Sequence, residues 1–121
     1  MAEKKNLLIV LRHSPYGSGL GRAAVDTALA FAAFEQEVEL LFVGDGVLQL
    51  SPGQQGQSIG RKTIEKQLAA LPLYGVDSVF VDATASLKYN IDLTSSPVPA
   101  TALSEQEMHR LMDHADHLLS F

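Results

Sequence analysis

"NLLIVLRHSPYGSGLGRAAVDTALAFAAFEQEVELLFVGDG", residues 6–46, decides the fold class. Asn6 to Leu11 form an apolar run closed by Arg12 and His13, the pattern of a strand covered on both faces, as in a parallel sheet. A turn holding Gly17, Gly19 and Gly21 then opens into a helix in which only Asp26 and Thr27 interrupt the apolar middle. Val38–Val43 is a second apolar strand, stopped by Gly44-Asp45-Gly46. Strand, helix, strand in this order is a βαβ unit, whose crossover is right-handed. The helix carries Ala23, Ala24, Ala28, Ala30, Ala32 and Ala33, small residues that let other backbones approach on more than one side. A helix apolar nearly all round is usually buried, and in so small a domain that predicts a subunit interface.

Downstream, residues 44–60 show little periodicity and carry four more glycines after Gly44, and they read as a long loop of the kind that often carries function. Ile64, Leu68 and Leu71 mark a helix that Pro72 ends. Ser78–Val81 is a third buried strand, and "DATASL" turns off its end. "SSPVPATAL" supplies one short strand near an edge, because Pro97 and Pro99 deny it two ladder donors. Ser104 with Glu107 makes a capping box, and Leu103 with Met108 a hydrophobic staple. The spacing of Met108, Leu111, Met112 and Ala115 predicts an amphipathic helix, which periodicity alone would carry on through Leu118 and Leu119. The pattern is that of a doubly wound α/β sheet in one domain over residues 1–121.

The charges, 9 Lys+Arg against 14 Asp+Glu for a net −5, are scattered, so no basic stripe marks direct nucleic-acid binding. The N-terminal "MAEKKN" precedes no signal-peptide core, and Leu7–Leu11 is far too short to span a bilayer, which predicts a cytoplasmic protein with no membrane contact. The chain has no cysteine, which excludes disulfides, thiolate metal sites and thiol nucleophiles.

In an open α/β sheet, ligands sit beyond the carboxyl ends of the strands, which here collects residues 13–22, 44–60 and 82–89 on one edge. The glycine turn reads G-x-G-x-G rather than the dinucleotide fingerprint G-x-G-x-x-G, although Asp45 stands where a ribose-binding acid would. No Gly-Lys-Ser/Thr follows, so it is not a P-loop. An anion at the helix N-terminus assisted by Arg22 stays open, beside the plainer reading of a flexible turn that lets the helix pack closely. His13 and Ser14 with Asp45 or Asp82 have the composition of a triad, but Ser14 sits in no G-x-S-x-G elbow. His109, Asp113 and His117 share a face if the helix continues, as metal ligands or as an ordinary solvated face. No cofactor and no metal are expected from these residues.

The stretch "SPYGSGLGRAAVDTALAFAAFEQEVELLFVGDGVLQLSPGQ" resembles the DsrE/DsrF-like sulfur-relay family, in its TusC/DsrF branch. The markers are the turn with Ser14, Pro15, Gly17, Gly21 and Arg22, then Asp45-Gly46, then Pro52-Gly53-Gln54, and Ser86 in "ASL". The resemblance implies a three-layer α/β/α domain with a mostly parallel sheet of about five strands. It also implies that the last residues form a strand, so the final helix stops near Ala115 and "HLLSF" is extended. It further implies TusB- and TusD-like sister subunits in a hexamer with two copies of each, working between sulfur donor and acceptor proteins. Such complexes serve 2-thiolation of a tRNA wobble uridine, or, in the DsrF-type case, dissimilatory sulfur oxidation. The sulfur-carrying cysteine belongs to a sister subunit, just after its third strand, where this chain has Asp82 and Ala83. The signature loops are then expected at subunit interfaces or flanking the sister's active site, with no catalytic residue here. A stand-alone small-ligand or nucleotide-binding α/β protein is the competing reading.

Overall fold

Both faces of Asn6–Leu11 (β1) are apolar, and the strand accordingly lies inside a five-stranded sheet with a neighbour on each side. The structure, a computed structural model, describes residues 5–13, 20–50 and 66–121. After β1 come α1 (Leu20–Ala33), β2 (Glu37–Phe42), a 3-10 segment (Gly44–Leu50), and helical residues 66–70 that run into a 3-10 turn (Leu71–Tyr74). β3 (Ser78–Asp82), α2 (Ala83–Lys88), β4 (Thr101–Leu103), α3 (Glu105–His114) and β5 (His117–Ser120) complete the chain. The order across the sheet is β4-β3-β2-β1-β5, and every pairing among the described residues is parallel.

Register sorts the side chains into two cores. Leu7, Ile9 and Leu11 pair with Val38, Leu40 and Phe42, so all six point to one face. There they meet Ala24, Val25 and Ala28 of α1, Val47 and Leu50 of the 3-10 segment, and Leu68 and Leu71. Leu8, Val10, Leu41 and Leu103 point to the other face, which α3 covers with Met108, Leu111 and Met112. The result is a three-layer α/β/α domain whose second face is thinly covered, since α3 itself has no buried residue.

Local signals succeed where they are self-contained. The Ser104 hydroxyl accepts from the Glu107 amide (3.2 Å) while the Glu107 carboxylate accepts from the Ser104 amide (2.9 Å), and both staple residues join the second core. These bonds hold the Glu107 carboxyl below its ordinary range. β4, just after Pro97 and Pro99, is an edge strand as expected.

Two expectations change. Residues 44–50, read as loop, form the 3-10 segment and bury Gly46, Val47, Gln49 and Leu50; residues 51–65 lie outside the described part. "DATASL", read as a turn, is the short helix α2, capped where the Asp82 carboxylate accepts from the Ala85 amide at 3.3 Å. At the C-terminus the ladder overrules helical periodicity. α3 stops at His114, the Asp116 amide donates to the Asn6 carbonyl (3.1 Å), and the Asp116 carboxylate accepts from the Asn6 amide (2.8 Å). Leu118 and Leu119 then pair with Leu8 and Ile9 as strand.

α1 ends in a Schellman arrangement. The Gln36 amide donates to the Phe31 carbonyl (3.4 Å) and the Glu35 amide to the Ala32 carbonyl (3.0 Å). Glu35 therefore holds φ 61°, a left-handed conformation that glycine adopts without steric cost. Glu35→Gly is expected to raise unfolding stability by about 0.5–1 kcal/mol, read as a higher urea midpoint at unchanged slope.

Candidate functional site

The carboxyl ends of β1, β2 and β3 gather the residues that the sequence singles out. β1 ends in Arg12 and His13, both exposed, and the chain closes beside it. The Phe121 amide donates to the Val10 carbonyl (2.8 Å) and the Arg12 amide to the Phe121 carbonyl (2.8 Å). β2 ends in Val43, whose amide donates to the Leu11 carbonyl at 3.0 Å, and the 3-10 segment then crosses directly over the end of β1. That crossing needs Gly46. A Cβ there would overlap the Leu11 carbonyl oxygen and stand 2.7 Å from its carbon, so only glycine brings the two backbones this close.

Further contacts assemble around this close approach. Gln49 is driven inside, 1% exposed, where its Nε2 donates to the His13 carbonyl at 2.9 Å. The Asp45 carboxylate, left outside, accepts a hydrogen bond from the Tyr89 hydroxyl just past α2. This bond, then partial desolvation and the Asp45 charge, push the Tyr89 hydroxyl above its ordinary ionisation range. Lys88 Nζ lies 5.3 Å from the centre of the Tyr89 ring. Finally, Ser86 is buried at the start of this brace, its hydroxyl donating to the Ala83 carbonyl at 3.0 Å and its carbonyl accepting from the Ile91 amide at 2.8 Å.

On the α3 side of the same edge, Val43, Asp82, Thr84, Glu105, Met108, His109 and Met112 line an open pocket of about 390 Å³. Its lining holds two carboxylates, an imidazole, the Thr84 hydroxyl and two thioethers. Asp82 already caps α2 and Asp45 already holds Tyr89, so the two aspartates weighed for a triad have structural partners instead. His13 is exposed; Ser14 lies outside the described residues.

Of the signature residues, Asp45, Gly46 and Ser86 come together on this edge, and Arg22 is exposed in the first turn of α1. Gly21 is in the same turn. Ser14, Pro15, Gly17, Pro52, Gly53 and Gln54 lie outside the described residues. The proposed metal face of His109, Asp113 and His117 is broken, because α3 ends at His114 and His117 belongs to β5. Gln49 and Tyr89 were not singled out. For Gln49 a signal existed, a lone amide inside "VLQL", whereas Tyr89 finds Asp45 only through the fold.

Gly46→Ala is expected to cost about 3 kcal/mol, because the obstacle is backbone and cannot swing aside; a drop in urea midpoint measures it, and an unchanged midpoint contradicts the contact. In an ultraviolet titration, Asp45→Asn is expected to bring the Tyr89 ionisation to lower pH. Identical curves for the two proteins would show that Asp45 does not hold the hydroxyl.

Comparison with known proteins fits this geometry. Residues 5–121 match the DsrE/DsrF-like family. The chain is 33% identical over 116 residues to a TusC homolog of Pseudomonas aeruginosa, covering 96% of this chain and 98% of the relative. It is 33% identical to a TusC homolog of Vibrio parahaemolyticus (95% and 98% covered) and 30% identical to TusC of Escherichia fergusonii (97% and 99% covered). Among solved structures, the ychN protein from E. coli superimposes with a TM-score of 0.81 at 22% identity, covering 97% of this chain and 99% of that one, which establishes the same fold. With its parallel sheet, its glycine-seated edge and full-length kinship to these relatives, the chain belongs to the DsrE/DsrF-like family, in its TusC branch.

Proposed function

We propose that this chain is a non-catalytic subunit of a heteromeric sulfur-relay complex of the TusBCD/DsrEFH type, supporting persulfide transfer toward 2-thiolation of a tRNA wobble uridine. One combined observation carries the reading: full-length similarity to proteins named TusC in a chain with no cysteine at all. In persulfide transfer an acceptor thiolate attacks the outer sulfur, a new S–S bond forms, and the donor leaves as a thiolate. A chain without a thiol takes neither part, so its contribution to such a relay is to shape and position the subunits that do.

The edge around Gly46 suits that role. It is braced by the Asp45–Tyr89 bond outside and the bond from Gln49 to the His13 carbonyl inside, and its Asp82 and Ala83 stand where the resemblance puts a sister subunit's thiol. Asp45, with the signature residues at 14–22 and 52–54, is assigned to the surface that meets TusB- and TusD-like sisters or flanks the sister's cysteine, and the buried Ser86 supports that surface from within. The complex is taken to work in the cytoplasm, in keeping with the absence, among the described residues, of any helix long and apolar enough to cross a membrane.

A tagged copy purified from its own host is expected to bring down both sister subunits in equal amounts, at the mass of a hexamer. Recovery alone, or clear micromolar binding of a nucleotide or flavin in calorimetry, would favour the stand-alone binder. Deletion of the gene is expected to remove 2-thiouridine from tRNA. Intact thiolation with impaired sulfur oxidation would assign the DsrF-type role instead.

A further inference from the structure

Parallel strands covered on both faces carry near-continuous apolar runs, and β2 breaks that rule inside its length. Glu39 stands third in β2, the middle strand of the five, and is half-buried. It is in register with Leu8, which points into the layer of α3, so Glu39 points there too. Asn6, Phe80 and Leu103 share that face. With Glu107, Arg110, Leu111 and His114 of α3 they line a pocket of about 380 Å³ between the sheet and the helix. A residue that breaks the local pattern of its strand and opens onto a pocket is a candidate for function.

The polar lining is rich in acceptors and short of donors. Asn6 Nδ2 donates to the Glu39 carboxylate, which fixes the amide, since the flipped group would set two oxygens against each other. Asn6 Oδ1 is then buried with no hydrogen-bond partner among the described residues. Buried acceptors are nearly always satisfied, so an open one on a pocket wall marks a place where a donor is received. His114 Nδ1 donates to the Arg110 carbonyl at 2.8 Å, which leaves Nε2 as an acceptor whenever the ring is neutral. Arg110, the one Lys or Arg among the described lining residues, is matched on its own helix by Glu107, three residues before it. The Ser104 bonds first, and the Arg110 charge last, hold that carboxyl below its ordinary range. Glu39 is the charge left on the sheet side. An adjoining hollow of about 300 Å³ shares Asn6 and Glu39 and adds Glu37 and Asp77, so the surroundings are acidic as well.

We infer that this pocket binds a small organic monocation, a primary ammonium group on a short apolar body. The ammonium supplies donors to Asn6 Oδ1 and to the Glu39 carboxylate, and its charge offsets that of Glu39 in a charge-assisted bond. The apolar body lies against Phe80, Leu103 and Leu111. A single water would satisfy Oδ1 but leave those walls uncovered. Glu39 and the acidic surroundings reject an anion, and a neutral alcohol brings one donor and no charge. The inference does not rest on the proposed function, because the pocket lies toward the amino ends of β1 and β2, away from the Gly46 edge.

Phenethylammonium is the probe, titrated into the isotope-labelled full-length chain near neutral pH and followed by amide chemical shifts. Phenethyl alcohol, with the same body and no charge, and hydrocinnamate, with the opposite charge, are the comparisons. The amine is expected to bind with a Kd of about 1 mM, a strength open to a ligand of its size, and to shift the amides of Asn6, Glu39, Phe80 and Leu111. The alcohol and the carboxylate are expected to bind at least about tenfold more weakly. Glu39→Gln, which keeps the shape of the side chain, is expected to weaken the amine about tenfold and leave the alcohol unchanged. Asn6→Leu removes the open acceptor while the bonds to Asp116 use the Asn6 backbone alone, and it is expected to weaken the amine about fivefold. Equal affinity for the three compounds, shifts confined to other parts of the chain, or no amine binding by about 10 mM overturns the inference. So does unchanged amine affinity in Glu39→Gln. Tighter binding of Nα-acetyl-lysine amide than of phenethylammonium would overturn the choice of a free amine, since it would assign the pocket to a lysine of another protein.

Discussion

Gly46 lies against the last carbonyl of β1 so closely that no side chain fits between them, and the carboxyl edge of the sheet is organised by that contact. Seating the 3-10 segment there carries Val47 and Leu50 into the core and Gln49 under the end of β1, and leaves Asp45 outside to take the Tyr89 hydroxyl. Three chain segments that are distant in sequence, the ends of β1, β2 and α2, are thereby tied into one surface.

How much of this could be read beforehand depends on how local each cause is. The capping box at Ser104 and Glu107, the prolines before β4 and the apolar runs of β1 to β3 act within a few residues, and the parallel sheet and its helices were legible from them. The helix-to-strand switch at His114–His117 was not legible from periodicity, because Met108 to Leu119 keeps a helical spacing. What decides it is the open edge of β1, over a hundred residues away, which accepts Leu118 and Leu119 into its ladder. Family resemblance carried that information where the residues alone did not. Residues 44–50 were hidden for a related reason: their burial depends on where β1 ends, and glycine there reads as flexibility until the Leu11 carbonyl is seen beside it.

The candidate site was legible as a place but not as an arrangement. The rule that ligands meet the carboxyl ends of parallel strands located Asp45, Asp82 and Ser86 correctly on one edge. It could not say that Asp82 caps a helix, that Asp45 holds a tyrosine, or that the Ser86 hydroxyl turns inward to Ala83. The two aspartates that suggested catalysis in isolation are satisfied by structural partners in the fold. The alanine-rich α1, read as an interface helix, keeps Phe31 exposed, as is Phe34 just past its end.

The most direct test is sulfur transfer in a reconstituted complex, with the sister subunits supplied at fixed concentration and this chain added or omitted. The account predicts that labelled sulfur accumulates only on a sister's cysteine, that its delivery to the acceptor protein is slow without this chain, and that adding the chain restores the rate. Delivery at the same rate in its absence would contradict the account.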